Sequence, residues 1–291
     1  MEWLEVSVDV NREAAEAVAE VLSRYAPQGV AFDLGENPEV SAHVTVKAYL
    51  AVDEAIAAKR RKIEESLGHL HHIWSVIPEP SFRILPDQDW TTTWKEELPI
   101  LHLGRRVVIK PSWRDYTPRP QEVVLEMDPG MAFGTGLHPT TQLCVDALED
   151  LAEPGMRVLD LGTGTGILAM IAAKLGLGPI LAVDNDENAI VAARRNVRAN
   201  QLAGQIELRH GTLAEVEGAY DLILANILAS VIIDMAQAGL VQHLRPGGIL
   251  VASGILEEQT EGVVQALTAH GLPVIEKRQQ GEWVALIARS A

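Results

Sequence analysis

The sequence contains a single cysteine, Cys144, among 291 residues. No disulfide can close within the chain and no cysteine-based zinc site can be built, which fits a reducing compartment. Long apolar runs are missing too, and the longest fall well short of the roughly 18 residues that a membrane helix requires. The opening Met1-Glu-Trp-Leu-Glu5 lacks the basic and then apolar stretch of an export signal. A cytoplasmic protein with no membrane partner is therefore expected. Positive charge is scarce, with 24 Lys and Arg against 40 Asp and Glu and a net charge of −16. That balance argues against a stable nucleic-acid complex and would draw a basic protein partner, although acidity for solubility alone explains it equally well. Internal repeats and low-complexity tracts are absent, which excludes a solenoid.

What remains is the composition of a globular protein, 47% hydrophobic and 22% charged, with enough length for two modest domains. The first stretch alternates as a strand does, with Trp3, Val6, Val8 and Val10 between polar groups, and Asn11 stands where a helix cap belongs. Ala14, Ala17, Val18, Val21 and Leu22 then recur at helical spacing to about Tyr25, before Pro27 and Gly29. Strands are predicted over Val30 to Leu34 and His43 to Leu50, a helix over Asp53 to Leu67 ending at Gly68, and a strand around His72 to Ile77. That order is the ferredoxin-like one, a common platform for binding, so this part is expected to recognise substrate.

From about Pro78 to Glu97 the text is rich in Pro, Asp, Thr and Trp without sustained periodicity. The expected division is a recognition domain over 1–85, a linker over 86–97 and a larger domain over 98–291. A flexible linker would let one active site reach several targets. After short strands at Arg106 to Lys110 and Val123 to Glu126, helices and strands alternate from Thr140 onward. The strands are Val158 to Leu161, Ile180 to Asp184, Ile206 to Arg209, Asp221 to Ala225 and Gly248 to Ser253, and a final hairpin spans Val274 to Arg278 and Trp283 to Ala288. Such alternation predicts an α/β domain with a mostly parallel, Rossmann-like sheet covered on both faces.

The chemistry concentrates at three strand ends. Asp160 is followed by Leu161-Gly-Thr-Gly-Thr-Gly166 and a predicted helix from Ile167. Glycines let backbone approach a ligand closely, and a helix start offers unpaired N–H groups to an anion. A dinucleotide fold wants its third glycine at position 167, where this chain has Ile, which disfavours a nicotinamide dehydrogenase. Leu181-Ala-Val-Asp184 ends in a carboxylate where ribose hydroxyls would be read, unless Asp184 caps the next helix. Asp221-Leu-Ile-Leu-Ala-Asn226 ends in an amide at the edge above which ligands bind, unless Asn226 is likewise a cap. Arg245-Pro-Gly-Gly248 precedes the fifth strand, the turn common there in methyltransferases.

The segment Asp128-Pro-Gly-Met-Ala-Phe-Gly-Thr-Gly-Leu-His-Pro-Thr-Thr141 resembles the signature of the ribosomal protein L11 methyltransferase family. Asp89-Trp90, Trp94-Lys95, Ile109-Lys-Pro-Ser-Trp113, Asn226-Ile-Leu-Ala229, Ser253-Gly-Ile-Leu256 and Glu282-Trp283 are similar too, so the likeness covers nearly the whole chain. Departures are confined to loop detail: Thr163 and Thr165 stand where Cys and Ser are frequent, and Leu137 where Thr is. The resemblance implies a class I methyltransferase domain that uses S-adenosyl-L-methionine and transfers methyl groups, more than once, to lysine and N-terminal amines of one ribosomal protein. It implies cofactor contacts at Thr141, Gly162, Asp184 and Asn226, with Phe133 and Gly164 as neighbours. It assigns no general base and no metal, and a monomer is expected. Phe133 either covers the ligand or anchors the core. The same fold acting on another protein or a small-molecule amine is the alternative, and a non-enzymatic cofactor-binding module is a third class. The absence of Asn-Pro-Pro-aromatic at the fourth strand favours amines over nucleobases or glutamine.

Other features read more plainly. His69, His71 and His72 lack a Cys or carboxylate at metal-ligand spacing. Lys59-Arg-Arg-Lys62 reads as a solvated helix face ahead of an RNA contact, and Trp90, Trp94 and Trp113 as packing ahead of a substrate path.

Overall fold

Alternation in the first strand, β1 (Trp3–Asn11), puts Leu4, Val6, Val8 and Val10 on one buried face and leaves Trp3 on the other. The Asn11 side chain accepts a hydrogen bond from the Ala14 N–H at 2.9 Å and so starts α1 (Arg12–Ser23), whose Ala14, Ala15, Val18, Val21 and Leu22 are buried. This computed structural model describes residues 3–26, 30–33, 43–53, 55–70, 77–85, 100–127, 136 and 138–291. The chain divides into two units, Met1–Ile100 with Lys110–Tyr116 and Met127–His138, and Leu101–Ile109 with Thr117–Glu126 and Pro139–Ala291. The expected linker, residues 86–97, lies outside the described residues.

In the first unit β2 (Val30–Asp33), β3 (His43–Ala51), β1 and β4 (Ser81–Leu85) form an antiparallel sheet in the order β2-β3-β1-β4. With α1 and α2 (Ile56–Leu70) this is the ferredoxin-like arrangement, but two details differ from expectation. The fourth strand is Ser81–Leu85, inside the stretch that lacked periodicity, where five residues hemmed by Pro80 and Pro86 were too short to show alternation. Most of the strand predicted around His72 to Ile77 falls outside the described residues. Helix α2 also starts later and runs through Gly68; ahead of it the Asp53 carboxylate accepts the Ala55 N–H at 3.0 Å. A helical glycine costs only about 1 kcal/mol, which the packing of Ile63 and Leu67 outweighs. Residues Lys59–Lys62 lie on α2 with local partners: Lys59 on Asp53 (2.7 Å), Arg60 on Glu64 (3.1 Å) and Arg61 on Glu65 (3.5 Å).

The second unit carries a seven-stranded sheet. Five parallel strands, β8 (Val158–Leu161), β9 (Ile180–Asp184), β10 (Ile206–His210), β11 (Tyr220–Asn226) and β12 (Leu244–Leu256), lie in the order β10-β9-β8-β11-β12. The antiparallel pair β13 (Val274–Gln280) and β14 (Trp283–Arg289) extends it past β12, with β14 innermost. The helices are α3 (Pro139–Leu151), α4 (Ile167–Lys174), α5 (Glu187–Ala199), α6 (Ala229–Gln237) and α7 (Thr260–Ala269). Strand β8 is buried at all four positions, as a central strand covered on both faces must be. Helix α4 is buried at every residue from Ile167 to Ala173, which explains its nearly continuous apolar sequence. A three-stranded sheet of β5 (Leu101–Leu103), β6 (Val107–Lys110) and β7 (Val123–Glu126) accompanies this core. Its β5–β6 turn hangs on Glu149 of α3, whose carboxylate accepts the backbone N–H groups of Arg105 (2.8 Å) and Arg106 (2.7 Å). Among the described residues no helix is long and apolar enough to cross a membrane.

Candidate active site

The chain leaves β8, builds β9 and β10 on one side, and returns to place β11 on the other side of β8. The crevice between β8 and β11 is thus a topological switch point, where open parallel sheets bind ligands beyond the carboxyl ends of the strands. Three of the predicted residues terminate or follow these strands: Gly162 after β8, Asp184 at the end of β9 and Asn226 at the end of β11.

The loop after β8 turns sharply, with φ of +68° at Gly162, +55° at Gly164 and +82° at Gly166, a region that residues with a Cβ avoid. Gly166 then stands at the N-cap of α4 and has no side chain to cap it, while the N–H of Ala169 in the first turn is taken by Asp160. Two carboxylates hold this shape. Asp184 accepts the Gly164 N–H at 2.8 Å through one oxygen and the Asp186 N–H at 2.9 Å through the other. Each oxygen keeps a second lone pair that can accept a ligand hydroxyl. The cap of α5 is Asp186, which accepts the Asn188 N–H at 2.9 Å, so Asp184 is not the helix cap.

Beneath the loop lies Asp160, which the residue pattern had marked only as a strand end. It is buried and accepts the Thr163 hydroxyl at 2.6 Å and the Ala169 N–H at 3.2 Å. Burial pushes its carboxyl up to about 6 against the pull of those two donors, and the nearby charge of Asp184 adds to the rise. Thr163 is therefore more than a variant loop residue, since its hydroxyl ties the loop to the strand. A carboxylate directly before a glycine loop is the signal that would have identified Asp160 as the loop's support.

On the β11 side, Asn226 Nδ2 lies 3.4 Å from the Thr141 hydroxyl oxygen. Thr141 belongs to the first turn of α3 and is fully buried, while Asn226 is partly exposed. With Nδ2 turned to Thr141, the amide oxygen of Asn226 is the atom left to accept from a ligand. The N-cap of α6 is Leu228, so Asn226 is not a cap either. Gly162 and Asn226 are linked through Ile227: a Cβ added at Gly162 would stand 2.3 Å from Ile227 Cγ2. The structure thus brings Thr141, Gly162, Gly164, Asp184 and Asn226 to one sheet edge. Phe133 lies outside the described residues, as do His71, His72, Trp90 and Trp94.

The donor set suits an organic cofactor with a ribose and a charged tail: carboxylate acceptors at Asp184, a glycine loop that leads into the N-terminus of α4, and a hydroxyl and amide at Thr141 and Asn226. Among the described residues no cluster of three His, Cys, Asp or Glu side chains converges.

Residues 2–291 match the family model described as ribosomal protein L11 methyltransferase. The chain is 41% identical to the ribosomal protein L11 methyltransferase of Chloroflexus aurantiacus over 99% of its own length and 98% of the relative's. It is 41% identical to that of Pelobacter propionicus with the same two coverages. The crystal structure of a ribosomal protein L11 methylase from Lactobacillus delbrueckii subsp. bulgaricus superposes with a TM-score of 0.62 at 36% identity, covering 66% of this chain and 99% of that one.

Proposed function

Because the chain belongs to the ribosomal protein L11 methyltransferase family, we propose that it transfers methyl groups from S-adenosylmethionine to lysine and N-terminal amines of ribosomal protein L11. The observation that carries the reading is the meeting of the glycine loop, Asp184, Thr141 and Asn226 at the switch point of the parallel sheet. The cofactor, when bound, supplies an electrophilic methyl on a sulfonium, so the protein's work is chiefly positioning. Asp184 would accept the ribose hydroxyls with the lone pairs that its backbone donors leave over. Gly162 and Gly164 admit close approach, and the α4 N-terminus and the Thr141 hydroxyl would hold the anionic tail.

The amine must arrive without its proton, and desolvation in the crevice favours that neutral form. Asn226 Oδ1 would accept one N–H of the amine and aim the nitrogen lone pair at the methyl group. This contact is available for each transfer in which the amine still carries an N–H. The domain over 1–85 is assigned recognition of the protein substrate, and the net charge of −16 favours a basic one.

The test is transfer of labelled methyl from S-adenosylmethionine to purified ribosomal protein L11, with mass spectrometry of the modified peptides. Label on lysine and N-terminal amines is expected. If the protein binds the cofactor by calorimetry yet leaves L11 unlabelled, the substrate is another protein or a small-molecule amine.

A further inference from the structure

Strand β12 carries an irregularity in its pairing with β14. Ala252 pairs with Leu286 and Ile255 with Val284, so Ser253 and Gly254 together face the single residue Ala285. This is a β-bulge, and its second residue has φ of +83°. Bulges gather beside active sites because they re-aim a strand locally, and this one lies directly opposite the end of β11, where Asn226 pairs with Ser253. The next N–H, that of Ile227, donates to Ser253 O at 3.1 Å. Gly254 is then passed at unusually close range by the Ile227 peptide. A Cβ at Gly254 would stand 2.2 Å from Ile227 O, 2.8 Å from its carbonyl carbon and 3.0 Å from its nitrogen. These are backbone atoms, so no rotamer change can relieve the contact. On the other flank, the Ile227 side chain fills the space that a Cβ at Gly162 would need. Ile227 is therefore seated in a slot with one glycine wall from β12 and one from the cofactor loop.

We infer that the Gly254 bulge is a positioning element for methyl transfer: by admitting the Ile227 peptide, it holds the adjoining Asn226 against Thr141. The inference rests on the reading of Asn226 as the residue that faces the amine. Gly254 touches no reacting atom. It acts through the peptide between Asn226 and Leu228, and a displacement of about an ångström there suffices to cost tenfold or more in turnover.

The test compares Gly254→Ala, Ile227→Ala and Asn226→Ala, singly and as the doubles with Asn226→Ala, using S-adenosylmethionine and purified L11. Rates are normalised to sites counted by calorimetric titration with S-adenosylhomocysteine, which removes any unfolded fraction. Gly254→Ala is expected to lower kcat at least tenfold with KM for L11 changed less than threefold. Ile227→Ala, which loosens the slot from the partly exposed side chain and leaves the strand intact, should lower kcat severalfold and keeps the test available if Gly254→Ala does not fold. In the Asn226→Ala background both losses should largely vanish, since the residue being positioned is gone. A second readout needs no activity: in cofactor-free protein labelled with 15N-asparagine, the Asn226 side-chain amide resonance should shift in Gly254→Ala or Ile227→Ala. Losses that add in full to that of Asn226→Ala, or full turnover with an unmoved amide resonance, would overturn the inference while leaving the proposed function standing. Absence of methyl transfer by the wild type, or full turnover by Asn226→Ala, would instead strike the underlying reading.

Discussion

Asn226 Nδ2 and the Thr141 hydroxyl, separated by 85 residues in sequence, face each other at 3.4 Å where β11 ends beside the first turn of α3. One residue is buried and the other partly open, so the pair joins the fixed interior of the domain to the crevice that a ligand enters.

Asn226→Ala removes the acceptor proposed for the amine, so turnover should fall by roughly 10- to 100-fold while the dissociation constant for S-adenosylhomocysteine rises much less. Single-turnover methylation and calorimetry separate the two quantities. Equal losses in both would assign Asn226 to cofactor binding alone.

Asp184 should behave in the opposite way. Both of its oxygens accept backbone N–H groups, and Asp184→Asn would turn an N–H donor toward one of them. Hydrogen bonds to a charged group contribute about 1.5 to 3 kcal/mol, so cofactor affinity should fall by roughly 10- to 100-fold. At saturating cofactor the rate of the chemical step should stay within a few fold of wild type, and a collapse of that rate would contradict this role.

Asp160 makes stability depend on pH with a definite sign. Its folded value of about 6 lies above the ordinary 3.8, so between these values the native state keeps a proton that the unfolded chain releases. Its favourable contribution is complete below the lower value and is lost as pH rises through the higher one, a change of about 3 kcal/mol. Urea unfolding between pH 4 and pH 8 should show this decline in the wild type and a smaller one in Asp160→Asn. Parallel curves would mean that the carboxyl titrates normally, whatever the nearby Asp184 and Cys144 contribute.

Cys144 is fully buried in α3, where burial, aided by the charge of Asp160, pushes the thiol up to about 12. The thiolate is the reactive form, so an aromatic disulfide reagent at pH 8 should leave the folded protein untouched and label one thiol per chain after addition of denaturant. Rapid labelling under native conditions would show that α3 opens locally.

Much of this protein was legible in its sequence. The strands of the parallel sheet were visible because a sheet covered on both faces demands apolar runs: residues 180–183 are such a run, and β8 is broken only by the buried Asp160. The order of the first domain was also visible, but its last strand was not, since Ser81–Leu85 is short and lies between prolines. Glycine spacing marked the loop because the backbone there must enter a region closed to other residues.

The sequence by itself determined which residues stand at the strand ends, since strand pattern, glycine loop and terminal polar residue are all local signals. Only the tertiary structure decided what those residues contact. Whether Asp184 and Asn226 are helix caps is a question of backbone geometry, answered when Asp186 and Leu228 take the cap positions. The contact of Asn226 with Thr141 and the seating of Ile227 between Gly162 and Gly254 depend on the order of strands and on a one-residue bulge between β12 and β14. Register between segments some thirty residues apart leaves no trace in local periodicity, because it arises only when the strands pair.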